Sequence, residues 1–355
     1  MSKKVIIITH IPFWRCGSGD KTRLLALVNF LSKRTILTIG YIGKQEENQT
    51  SKNFRIVNFA NGGIRFLSDI ITAVKDYMVL NSFDACIIEY TFLSFLLPYL
   101  PKNLLLILDS HDIVSDRIES FKAFGKKDTG ITDLTPKEER DYFMKYDYVV
   151  GIKKADCEKL SEMIGRDKVI LAGHPACGEK QPIRRSARNI GYIASNYLPN
   201  IDAINWFLNE VWSDAFEPSL TLDIYGPVVD GINDNIASNV RKIGVVADID
   251  QIYSALDIII NPVRFGAGLK IKNIEALARG LPLITTPHGA QGIEDAAGKA
   301  FLVAQDPDEF CRHIDTLVYD DGLRRKLGDA AYQYARKVFS EDCCFDALLS
   351  KINGE

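Results

Sequence analysis

Short apolar runs alternate with amphipathic stretches along the whole 355-residue chain. That alternation predicts parallel sheets wound with helices, an α/β class. In the first half the β-rich runs fall at 5–9, 35–41, 54–58, 85–89, 104–109, 148–151 and 168–171. Helical periodicity places helices at 20–33, 63–81, 91–99, 136–146 and 153–164. The segment 173–189, GHPACGEKQPIRRSARN, breaks the rhythm with two prolines, two glycines and a basic cluster, and reads as a linker. Strands resume at 190–194, 220–225, 242–246, 258–261, 283–286 and 300–303, and the chain ends in a helical pattern over 322–353. The expected organisation is a first domain over 1–172, a linker over 173–189, a second domain over 190–336 and a closing helix over 337–355.

Composition narrows the class. The chain is 46% hydrophobic and 25% charged, close to the globular average, which excludes a disordered chain. The net charge of −3 conceals an asymmetry: residues 1–172 carry 25 Lys and Arg against 21 Asp and Glu, the remainder 18 against 25. A basic first lobe leaning on the inner face of an anionic membrane is one reading; simple solvation is the other. No nucleic-acid partner is indicated. Seven cysteines without a C-x-x-C pair point to reduced thiols and a cytoplasmic location, and zinc-ligand spacing is absent. The apolar run after Ser2-Lys3-Lys4 is too short for a signal peptide. The most lipophilic window, 90–108, is interrupted by Pro98, Pro101 and Lys102, and predicts a helix followed by a buried strand rather than a span.

The most informative stretch is 261–292, NPVRFGAGLKIKNIEALARGLPLITTPHGAQG. A strand ends at Asn261-Pro262, a loop Phe265-Gly266-Ala267-Gly268 follows, and a helix is expected from about Leu269 to Gly280. Strand, glycine loop and helix N-terminus direct backbone N–H groups at one point, where they favour an anion. Lys270 and Lys272 fall in the first turn, where cations oppose the helix dipole, so a bound polyanion would relieve a conflict. The loop therefore reads as a diphosphate cradle. Glu275 borders the buried stripe of Ile271, Ile274 and Ala278, where a carboxylate can hold a sugar diol; the local alternative pairs it with Lys272 or Arg279.

Gly266-Ala267-Gly268-Leu269-Lys270-Ile271-Lys272, Glu275-Ala276-Leu277-Ala278, Gly280-Leu281-Pro282 and Thr285-Thr286-Pro287-His288-Gly289 together resemble the donor signature of the family-4 (group 1) retaining glycosyltransferases. The stretch 194–207, with Pro199-Asn200, Asp202-Ala203 and Trp206-Phe207, is similar to a bacterial surface-polysaccharide subgroup of that family. Tyr225-Gly226-Pro227 and Gly244-Val245-Val246-Ala247-Asp248 look like its Gly-Pro and Gly-x-Val-x-Asp turns. The resemblance implies a GT-B fold: two Rossmann-like domains face each other across a cleft, and the last helix returns to the first domain. It implies transfer of a sugar from a nucleoside diphosphate (UDP- or GDP-sugar) to a hydroxyl of a glycan, lipid-linked or protein-linked acceptor, with retention and without a metal or other cofactor.

The same resemblance implies the site residues. His111, Lys270 and Glu275 would carry the chemistry, and Gly19, Gly226, Val246, Gly266, Ala267, Gly268, Leu269 and Lys272 would bind the donor. Asp20, Arg23, Glu89 and Arg117 would lie on the acceptor side, with the N-cap of the first helix as the alternative role for Asp20. His111 is preferred over the other four histidines because Asp109-Ser110-His111-Asp112 ends a strand on the cleft side. Two positions depart from the family. Ala267 stands where a first glutamate is common, and Ser195-Asn196 and Asn200 replace an Arg and a Lys. The alternatives are a catalytically silent GT-B protein binding a nucleotide sugar or a partner transferase, a nucleotide-sugar epimerase, and a nicotinamide-dependent dehydrogenase. The last is opposed by the incomplete glycine fingerprint at Gly17-Ser18-Gly19-Asp20.

Overall fold

The computed structural model describes residues 2–15, 17–44, 52–60, 66–128, 133–212, 216, 219–233 and 236–355. The first lobe runs β1 (Lys4–Thr9), α1 (Gly19–Ser32), β2 (Ile36–Tyr41), β3 (Arg55–Asn58), α2 (Leu67–Leu80), β4 (Ala85–Glu89), β5 (Leu105–Asp109), α3 (Val114–Ala123), α4 (Pro136–Phe143), β6 (Tyr148–Gly151), α5 (Lys154–Ile164) and β7 (Val169–Leu171). The second continues with β8 (Asn189–Ile193), α6 (Leu198–Glu210), β9 (Thr221–Tyr225), β10 (Val240–Gly244), α7 (Ile249–Ala255), β11 (Ile258–Asn261), α8 (Ile271–Ala278), β12 (Leu283–Thr285), β13 (Leu302–Val303), α9 (Pro307–Tyr319), α10 (Asp321–Val338) and α11 (Glu341–Asn353).

Each lobe has one parallel sheet. The first has order β3-β2-β1-β4-β5-β6-β7, the second β10-β9-β8-β11-β12-β13. In both, the chain order reverses beside the first strand of the lobe (β1, β8). Such a reversal opens a crevice at the carboxyl ends of the strands, where ligands of doubly wound sheets bind. The central strands are covered on both faces, which explains runs such as Val5-Ile6-Ile7-Ile8 and Ile258-Ile259-Ile260, nearly all fully buried. α11 returns to the first lobe: its Phe345 ring packs 5.3 Å from Phe30 of α1, and Asp342 pairs with Arg34 at 3.2 Å. This is the GT-B arrangement.

Several element boundaries differ from the periodicity reading, for local reasons. Residues Thr91–Tyr99 form a 3-10 helix, because Pro98 cannot donate into an α-helical ladder. α3 was not foreseen, although Val114, Ile118 and Phe121 mark its buried face. The helix expected from Leu269 begins at Ile271, so Lys270 is its cap rather than a residue of its first turn. β10 stops at Gly244, which leaves Val246 in the following loop. The start of the helix expected over 63–81 lies outside the described residues; within them α2 begins at Leu67. Among the described residues no helix is long and apolar enough to cross a membrane.

Candidate active site

The carboxyl ends of the two sheets face a cleft of about 640 Å³. Its second-lobe wall is laid out by backbone. The loop between β11 and α8 turns through Gly266 at φ 112° and Gly268 at φ 73°, conformations that L side chains rarely adopt. Beneath it lies a buried amide and hydroxyl network. Asn261 Nδ2 donates to Asn273 Oδ1 at 2.8 Å, and Asn273 Nδ2 donates to the Gly289 carbonyl at 2.8 Å. Gly289 N–H donates to Thr286 Oγ1 at 2.9 Å, and that hydroxyl in turn donates to the Val263 carbonyl. The network ties both ends of the donor loop to the turn after β12, so the loop is fixed before any ligand arrives. Gly226 closes the far end of this wall at φ 91°; a Cβ there would stand 2.2 Å from the Ala194 carbonyl oxygen.

The site residues expected on this lobe converge. Gly226, Val246, Gly266, Ala267, Gly268, Leu269, Lys270, Lys272 and Glu275 all line the cleft. Glu275 pairs with neither Lys272 nor Arg279 through its carboxylate. Oε2 accepts from the Tyr253 hydroxyl at 3.1 Å, while the Arg279 guanidinium is held by Asp250 at 2.6 Å and the Cys177 carbonyl at 2.9 Å. Burial, partly offset by Arg279, holds the Glu275 carboxyl above its ordinary value. The two lysines are tied back as well. Lys270 Nζ donates to the Ala267 and Gly268 carbonyls at 3.3 and 3.0 Å, and Lys272 Nζ donates to Asn200 Oδ1 at 2.8 Å. Burial, reinforced by Lys153, lowers Lys270 to about 7; burial, reinforced by Lys270, does the same to Lys272. Lys272 thus stands beside Asn200, one of the positions where the family commonly carries a cation.

One donor-loop amide is engaged differently from expectation. Gly266 N–H donates to Ser120 Oγ of α3 at 2.9 Å, so a first-lobe hydroxyl occupies part of the expected anion cradle. The same helix end brings Phe121 and Phe124 against Phe265, with ring centroids 5.0 and 4.9 Å apart. Tyr197 of the second lobe reaches Asp128 across the cleft at 3.0 Å.

On the first-lobe wall Gly19, Asp20, His111 and Arg117 line the cleft as expected. Asp20 is not the N-cap of α1; Ser18 holds that position and Asp20 lies inside the first turn. Arg117 is bound by Asp112 at 3.0 Å and Asp128 at 3.4 Å. Of the two remaining acceptor-side residues, Arg23 lines the cleft and Glu89 does not, which corrects the Glu89 assignment. Arg23 reaches the wall only at its edge, is 1% exposed, and has its guanidinium on Asp109 and on the Ala172 and Gly173 carbonyls at 2.8 and 3.2 Å. It fastens the first helix to the start of the linker. Glu89 is fully buried, and its Oε2 lies 2.5 Å from His111 Nε2, so it faces the histidine rather than an acceptor. Glu89, Asp109 and His111 bring three potential metal-ligand atoms within 4.8 Å of one another, but the Glu89–His111 bond and the Arg23–Asp109 pair already engage one carboxylate oxygen of each acid and the histidine Nε2.

Sequence reasoning missed Ser120, Tyr253 and Asn273. A readable signal existed only for Asn273, an amide on the otherwise apolar buried face of its helix.

Residues 187–320 match the family model described as "Glycosyl transferases group 1". A protein of Klebsiella pneumoniae described as an "Uncharacterized 44.6 kDa protein in cps region" is 22% identical over 225 residues, 60% of this chain. The match spans 58% of that relative's length. The fold is shared with HepE of Anabaena, crystallised with UDP and glucose, at a TM-score of 0.74 and 13% identity over 100% of both chains. It is shared with sucrose-phosphate synthase from Thermosynechococcus elongatus at 0.76 and 14% identity over 99% of both. TarM of S. aureus, crystallised with Fondaparinux, alpha-GlcNAc-glycerol and UDP, aligns at 0.78 with 11% identity over 99% of this chain and 100% of its own. The chain thus has the GT-B fold, and its residues 187–320 are similar to the group 1 glycosyltransferases.

Proposed function

We propose that the protein transfers a sugar from a uridine-diphosphate sugar to a hydroxyl of a glycan acceptor, with retention and without a metal, in cell-surface polysaccharide synthesis. The observation that carries the reading is the meeting, in one cleft, of the fixed glycine loop, the N-terminus of α8 with Lys270 and Lys272, and Glu275 held by Tyr253. Sugar transfer from a nucleoside diphosphate builds negative charge on the leaving group, and preorganised amides and ammonium groups stabilise it where it forms. Glu275, steadied by the Tyr253 hydroxyl, has the geometry to accept both hydroxyls of a ribose. The apolar end of the cleft, with Pro227, Val246 and Ile249, would take the base, and His111 on the opposite wall would contact the transferred sugar. Uridine is preferred because HepE and TarM were both crystallised with UDP. The polysaccharide setting is supported by the cps-region relative.

Ala267 favours a second reading, a silent GT-B protein that binds the nucleotide sugar without turning it over. A thermal-shift panel of UDP-, GDP- and dTDP-sugars, with and without EDTA, comes first, because a ligand of the native state raises the melting temperature. A shift with UDP-sugars that survives EDTA is expected. A shift confined to GDP-sugars, or abolished by EDTA, refutes the uridine or the metal-free assignment. Binding without release of UDP across a panel of glycan acceptors favours the silent reading.

A further inference from the structure

Below the cleft floor of the first lobe, four ionisable side chains from three elements meet out of contact with solvent. Glu89 ends β4, Asp109 ends β5, His111 follows two residues later, and Arg23 reaches them from α1. Glu89 and Asp109 are fully buried and outside the cleft lining, Arg23 is 1% exposed, and His111 and the edge of Arg23 line the cleft. The backbone above them is strained. Tyr90 and His111 adopt φ 65° and 61°, the only positive values among described non-glycine residues. Their rings stack with centroids 4.1 Å apart and planes 14° apart. Such conformations persist only where the surroundings over-determine them.

We propose that Glu89 is a positioning residue for sugar transfer: its bond to Nε2 fixes the orientation of the His111 ring, leaving Nδ1 as the nitrogen that meets the transferred sugar. The proposal rests on the sugar-transfer reading above. A fully buried carboxylate costs several kcal/mol to desolvate unless it is matched, so a residue serving only to fill space at a strand end would not be an acid. The local charges make the match specific. Arg23 bonds Asp109 and offsets its charge, while Glu89 Oε1 has no partner, so His111 is the one group Glu89 directly bonds.

The other groups facing His111 are His10 from the loop after β1, Asp109 from β5, Arg23 from α1 and the neighbouring Asp112. Burial opposes a charged ring, but Asp109 and the Glu89 bond outweigh burial and Arg23, so His111 keeps its proton above the ordinary histidine range. A doubly protonated ring donates through Nδ1 to a sugar or phosphate oxygen while Nε2–H remains on Glu89.

The test is nitrogen-resolved NMR of the five histidines, with His111 assigned from the His111→Gln spectrum, alongside steady-state kinetics. In the wild-type protein His111 is expected to titrate above the ordinary histidine range. Glu89→Gln should bring that titration down and lower kcat about 10²-fold while the donor KM stays within a few-fold. Its acidic shift in the pH profile should be recovered by Glu89→Asp, which restores the charge. A wild-type His111 that titrates at or below the ordinary histidine range overturns the proposal even if Glu89→Gln fails to fold. So does a titration and pH profile unmoved by Glu89→Gln, or a His111 signal that changes when EDTA strips divalent cations. The NMR arm needs no turnover, so a protein that binds donor without transferring sugar would sink the transferase reading while leaving the Glu89–His111 coupling separately measured.

Discussion

The two walls of the cleft are built by opposite strategies. The second-lobe wall is contiguous in sequence: within residues 261–289 lie the glycine loop, both lysines, Glu275 and the network through Asn273 and Thr286 that fixes them. Its charges are held by desolvation in a form that a polyanion would change. The first-lobe wall is assembled from distant residues, with Arg23 and Asp109 separated by 86 positions and Glu89 and His111 by 22. Its charges cancel internally, and they brace backbone and ring positions. The donor lysines are poised for a ligand and the Arg23–Asp109 pair is matched without one, so substituting the lysines should show in affinity or rate and breaking the pair should show in stability.

The largest expected effect is on the braced wall. Arg23→Met leaves Asp109 as an uncompensated buried charge, which typically costs about 3–5 kcal/mol. Chemical denaturation should show that loss, and Arg23→Met combined with Asp109→Leu should recover most of it, because the pair rather than either ion is what the interior tolerates. If the single variant is as stable as the parent, the bracing role is wrong. On the poised wall the signs reverse. Lys270→Ala should lower kcat/KM by about 10²–10³-fold, the scale for removing one preorganised group from a developing anion. The melting temperature should stay level or rise, since a desolvated ammonium is lost. Unchanged turnover would remove Lys270 from the diphosphate site, and an equal loss of stability would erase the contrast between the walls.

The same contrast explains what was legible in the sequence. Strand positions and the two-sheet winding could be read because buried parallel strands such as 5–8 and 258–260 are continuous apolar runs. The donor wall could be read because its chemistry lies in consecutive residues. Glu89 was placed toward an acceptor it does not face and the partner of Arg23 could not be read, since nothing in the local pattern says that an arginine on α1 will bond an aspartate on β5, two strands from β1 in the sheet. The strain at Tyr90 and His111 was equally invisible, because neither residue is a glycine that would announce it. α3 was missed despite its apolar spacing, and with it went Ser120, whose contact to Gly266 exists only once the lobes are brought together.

The smallest effect is the most specific to the poised wall. Lys270 and Lys272 are lowered from 10.5 to about 7, chiefly by burial, with Lys153 lowering Lys270 further and Lys270 lowering Lys272. In the free protein above pH 7 the pair is therefore largely neutral, and it loses its protons in two coupled steps. A diphosphate favours the charged forms, so donor binding must take up protons in that range. Affinity for a UDP-sugar, whose phosphates stay ionised throughout, should be highest below pH 7 and should weaken as pH rises through 7 towards 9. The limiting slope is about tenfold per pH unit for each lysine, or about 1.4 kcal/mol. Calorimetry in two buffers of different ionisation enthalpy reads the proton uptake directly, and Lys272→Met should reduce it and flatten the slope. Affinity that is level from pH 7 to 9, with no proton uptake, would mean that neither ammonium meets the diphosphate. The donor loop's amides would then bind the anion alone, and the two walls would differ in geometry but not in how they hold charge.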